Sequence, residues 1–105
     1  MKTLIILKPG KAGDDYLRLR LDTEDTRTYI EGRDVQALFV NFGDGLQNVG
    51  NIPTYMYGSL QNSRVISDWL HQHNFTDTTQ QLLFELEISS DGHSHAYRYI
   101  GKIIK

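Results

Sequence analysis

Four histidines fall into two His-x-His pairs, His71/His73 and His93/His95. On a strand, residues two apart share a face, so such a pair can offer two imidazoles to one metal ion. The first pair ends an expected helix, where residues two apart diverge by about 200°. The second pair starts in a turn. A third ligand must come from elsewhere in the chain, and nothing matches H-E-x-x-H. The pairs therefore read first as a helix C-terminal turn, favourable for His71 and His73, and a solvated hairpin. A small metal-dependent hydrolase using His93 and His95 stays as an alternative. No cofactor is expected.

The remaining candidates for chemistry are weaker. Segment 43–50, Gly43-Asp44-Gly45-Leu46-Gln47-Asn48-Val49-Gly50, is glycine-rich. It matches neither G-x-G-x-x-G nor a P-loop nor an EF-hand loop, so it reads as a connecting loop. The serines show no G-x-S-x-G elbow. The acids Asp14/Asp15 and Asp22/Glu24/Asp25 sit in expected turns, where aspartate serves the backbone, and solvated turn acids rarely acquire the raised pKa that acid–base work needs. Tyr57-Gly58-Ser59-Leu60 resembles the substrate-loop motif of the γ-glutamyl cyclotransferase-like family. The match spans four residues of 105, and the only glutamates after it, Glu85 and Glu87, fall on an expected strand. Nothing is carried over from it. With no cysteine, thiol nucleophiles, thiolate metal sites and a disulfide scaffold are excluded.

The candidate binding residues are tyrosines and arginines on expected strands. Tyr16, Arg18 and Arg20 alternate onto one strand face; His95, Tyr97 and Tyr99 share another; Tyr55 and Tyr57 lie on a third strand. Tyr and Arg are enriched at the energetic centres of protein interfaces. The same residues can stack single-stranded bases and hold phosphates. A net charge of −2 argues against strong phosphate binding, and the RRM signature is absent. The expected function is a small non-enzymatic binding or regulatory domain acting by protein–protein contact, self-association included. Single-stranded nucleic-acid binding through the Tyr/Arg sheet face is the alternative.

These residues need a scaffold. A chain of 105 residues with 39% hydrophobic residues fits a single globular domain over 1–105. The opening apolar run, Leu4 to Leu7, ends at Lys8-Pro9-Gly10. It is shorter than the roughly 7–15 residues of a signal h-region, and no stretch approaches the roughly 20 of a membrane span. A cytoplasmic location is expected.

Thr3–Lys8 reads as a strand. In Tyr16–Leu21 the leucines alternate with Tyr16, Arg18 and Arg20, the mark of a half-buried antiparallel strand. Thr26–Glu31 reads as a third strand. Val35, Leu38, Phe39 and Phe42 fall at helical spacing after Asp34, a capping residue, and predict a helix over 34–42. A strand over Ala37–Phe42 is the rival reading. Pro53–Leu60 predicts a strand. Asn62 or Ser63 caps a helix ending near Asn74, with Val65, Ile66, Trp69 and Leu70 on its apolar face. Gln80–Ser89 and His95–Ile104 form a hairpin about Ser90-Asp91-Gly92. The expected fold class is α+β: a mostly antiparallel β-sheet in the order β-β-β-α-β-α-β-β, with two helices packed on one face.

Overall fold

The computed structural model describes residues 2–11, 13, 15–21, 35–50, 59–60 and 64–103. Seven strands form one sheet: β1 (Lys2–Lys11), β2 (Leu17–Leu21), β3 (Ala37–Asn41), β4 (Gln47–Gly50), β5 (Ser59–Leu60), β6 (Leu82–Ile88) and β7 (Ser94–Lys102). Their spatial order is β4-β3-β7-β6-β1-β2-β5. Helix α1 (Arg64–Gln72) is the one helix among the described residues. The fold is thus α+β and mostly sheet.

Three sequence expectations need correction or fall elsewhere. In place of the helix expected over 34–42, Ala37–Asn41 forms strand β3, in line with the rival reading of a strand over Ala37–Phe42, so one described helix stands where two were expected. A helix there would run into Gly43 and Gly45, whose φ values of 116° and 102° lie in the left-handed region. Stopped at residue 42 it has about two and a half turns, which, as for the nine-residue α1, is stable only with tertiary packing. As a strand the same segment buries Leu38 and Val40 completely and gains backbone hydrogen bonds on both sides. The second correction concerns direction. β3 pairs with β7 in parallel, Ala37 opposite Ser94 through Asn41 opposite Arg98, so the sheet is mixed. Thirdly, the strand expected over 26–31 and most of the one expected over 53–60 lie outside the described residues; Ser59–Leu60 pairs with β2.

The other elements follow the alternation of the chain. β1 pairs with β2 and β6, and β6 with β7, all antiparallel. One face collects Ile5 and Leu7, Leu17, Leu19 and Leu21, Leu82, Phe84, Leu86 and Ile88, with Tyr97. Helix α1 lays Ile66, Trp69 and Leu70 on this face. Trp69 stacks flat on Phe42, ring centroids 4.2 Å apart at 9°. Tyr99 and Phe75 meet its other sides at 4.8 and 5.3 Å. Such contacts add about 0.5–1.5 kcal/mol per aromatic pair beyond area burial. A polar tie fixes the helix against the sheet: the Leu17 backbone N–H donates to the buried Ser67 Oγ at 3.0 Å.

The β6–β7 hairpin turns on side-chain chemistry. Ser89 Oγ donates to Asp91 Oδ1 at 2.6 Å and His93 N–H donates to the same oxygen at 2.9 Å. Gly92 supplies a φ of 79°, which an L side chain resists. These bonds hold the Asp91 carboxyl below the usual carboxylate range. Thr79 does the same for Asp77 through its N–H and hydroxyl.

Candidate functional site

The sheet has two faces, and they divide the sequence candidates. His95 and Tyr97 point into the core and are fully buried. Tyr99 is half-buried against Trp69, and burial pushes its phenol above the usual value. A base-stacking platform drawn through Tyr97 is therefore not at the surface. Tyr55 and Tyr57 lie outside the described residues. Arg18 and Arg20 stand on the opposite face, cross-strand from Gly10 and Lys8. There the aliphatic stem of Arg20 occupies the space a Cβ on Gly10 would need, with its Cγ 2.7 Å from that position.

The histidines are not gathered. His93 lies in the hairpin turn while His95 is sealed in the core. His71 and His73 direct ring nitrogens at carbonyls, Nε2 to Asp15 O at 2.6 Å and Nδ1 to Trp69 O at 3.0 Å. A carbonyl only accepts, so these nitrogens carry the ring protons and each bond ties its ring to the backbone. Among the described residues no group of three or more His, Asp or Glu side chains is placed to hold a metal ion.

Two surfaces remain. The first is a cleft of about 280 Å³ beside α1, lined by Asp15, Tyr16, Arg64, Ser67, Asp68 and His71. Its Ser67 hydroxyl already accepts from Leu17 and its His71 ring already donates to Asp15. The polar groups here join the helix to the loop before β2.

The second is the sheet face turned away from α1. Strand register sets its residues in rows across β3, β7, β6 and β1. One row reads Asn41, Arg98, Glu85, Leu4; the next reads Phe39, Ala96, Glu87, Lys2. Arg98 Nη2 donates to Glu85 Oε1 at 3.2 Å, and Lys2 Nζ lies 3.7 Å from Glu87 Oε2. Exposed pairs of this kind contribute about 0–1 kcal/mol each, so they can be rearranged at little cost. Leu4 is 61% exposed in the first row. Leu46, also 61% exposed, comes from the loop between β3 and β4. It lines a groove with Asn41, Glu85, Glu87, Ala96 and Arg98. Ile100, 43% exposed, follows Arg98 by two positions on β7.

The alternation in β6 already put Glu85 and Glu87 on the side away from the core. The sequence reading missed Leu4 and Leu46 as contact residues. Leu4 sits in a continuous apolar run that looks buried throughout, and Leu46 in a glycine-rich loop that looks like a connector. Among the described residues, no helix is long and apolar enough to cross a membrane. Comparison of the chain with protein-family models, with curated proteins and with solved structures gives no match.

Proposed function

We propose that this chain is a small non-enzymatic domain that works by protein–protein contact, and that its contact surface is the sheet face turned away from α1. One observation carries the reading: Leu4 and Leu46, the most exposed large apolar side chains among the described residues, flank this face. An exposed leucine alone means little. Two of them beside a groove floored by Ala96 and edged by Glu85, Glu87 and Arg98 make an apolar centre with a charged surround, the anatomy of a protein interface. The tyrosine and arginine candidates now divide. Arg18 and Arg20 share the proposed face, while Tyr97 and Tyr99 support it from the core. Single-stranded nucleic-acid binding has less behind it, because Tyr97 is buried and the face carries acids as well as bases.

The test is site-specific photo-crosslinking in cells that make the protein, with a photoreactive amino acid at Leu4, at Leu46 or at Gln72, an exposed residue of α1. Covalent protein adducts are expected at positions 4 and 46 and not at 72. Adducts absent at 4 and 46, or equally frequent at all three positions, would refute the proposal.

A further inference from the structure

The face turned away from α1 is complementary to itself. β6 and β7 are its two central strands, with β1 outside β6 and β3 outside β7. Glu85 on β6 and Arg98 on β7 stand in the same row. A two-fold axis parallel to the strands and midway between β6 and β7 exchanges these strands between two facing sheets. Each Glu85 then faces Arg98 of the second copy, and each Arg98 faces the second copy's Glu85. The intramolecular pair becomes a closed square of four alternating charges. The same rotation acts on the outer strands. Leu4 on β1 lies about one and a half strand spacings, roughly 7 Å, from the axis. Its row partner Asn41 on β3 lies equally far on the other side and shares a groove wall with Leu46. The operation therefore brings Leu4 of each copy beside Leu46 of the other. In the next row it sets Lys2 over Phe39 of the second copy, a cation above an aromatic ring. A charge opposite its counter-charge, an exposed leucine opposite an exposed leucine and a lysine opposite a phenylalanine all follow from one operator. An isologous contact needs that self-complementarity.

We propose that the partner of this face is a second copy of the chain, packed sheet to sheet across that two-fold axis, with Glu85 and Arg98 pairing between copies at its centre. This rests on the reading of the face as a protein-contact surface and names its occupant. Two twisted sheets pack about 10 Å apart with strands within about 30° of alignment. The contacts nearest the axis, those of Glu85 and Arg98, are therefore the best matched.

The experiment is sedimentation velocity with light scattering on the wild type, on Glu85→Arg, on Arg98→Glu, and on an equimolar mixture of the two variants. Far-ultraviolet circular dichroism and Trp69 emission check that each variant is folded. Wild type is expected at twice the 12.1 kDa chain mass. Either variant alone places like charges opposite each other across the axis and raises the dissociation constant about tenfold or more. The mixture restores the dimer, because each arginine at 85 or 98 then meets a glutamate of the other chain. The intramolecular pair stays broken in both variants, so a merely structural role for it predicts no recovery on mixing. A monomeric wild type, or folded variants whose mixture shows no recovery, overturns the proposal. Monomeric wild type with crosslinks at positions 4 and 46 to a chain of different mass rejects the second copy and keeps the contact surface. Monomeric wild type with no crosslinks removes both.

Discussion

Replacing Ser67 by alanine tests whether one polar contact fixes α1 to the sheet. Ser67 is 4% exposed, and its Oγ accepts the Leu17 N–H at 3.0 Å. Leu17 opens β2 and is itself buried. Alanine removes the acceptor and leaves that buried N–H unsatisfied, which costs about 1–3 kcal/mol. Alanine is also the better helix former, which returns about 0.5 kcal/mol. The net loss is then about 0.5–2.5 kcal/mol, the low end applying if water enters from the neighbouring cleft. At about 2.1 cal/mol/K per residue, a 105-residue chain has an unfolding entropy near 220 cal/mol/K at its midpoint. The loss therefore lowers Tm by about 2–11 °C. The chain has one tryptophan, and Trp69 sits two positions further along the same helix, so its emission follows the unfolding directly. Urea titration should show a lower midpoint at an unchanged slope. Hydrogen exchange at the Leu17 amide should speed up more than at Leu19. An unchanged or raised Tm, or no loss of protection at Leu17, would refute the argument that this bond holds the helix in place.

Three further outcomes are expected. Gly92→Ala forces a side chain to φ 79° with open space around it, so the penalty is backbone strain of about 1 kcal/mol; a chemical denaturation curve superimposable on wild type would contradict it. Gly10→Ala destabilises through collision with the Arg20 stem, and adding Arg20→Ala should recover most of the loss; additive effects in a double-mutant cycle would show that the two positions are independent. The Asp91 carboxyl is held low by the Ser89 hydroxyl and the His93 N–H. A group whose folded pKa is lowered stabilises above its unfolded value, about 3.9, and that contribution is lost as pH falls through the lowered folded value. Stability measured on the acid side should therefore fall more steeply in wild type than in Asp91→Asn; parallel profiles would argue against the turn.

The face proposed for contact shows how far local pattern reaches. β6 could be read from its residues alone, since Leu82, Phe84, Leu86 and Ile88 alternate with Glu85 and Glu87 and period two has a single solution. The same holds for the leucines of β2 and for the apolar face of α1, and for the Ser90-Asp91-Gly92 turn that joins β6 to β7, where glycine adopts the left-handed conformation at least cost. Local pattern failed at residues 35–42, where Val, Leu and Phe fit a helix and a strand equally. Pairing with β7, more than fifty positions away along the chain, settled that choice. No local signal carries the energy of so distant a contact. Tyr97 and Arg98 are neighbours in sequence and alternate in any strand, but which of them met α1 and which met solvent depended on where the helix docked. The exposure of Leu4 and Leu46 had the same origin. Their chemistry was always apolar, and the layer order of the fold left them uncovered.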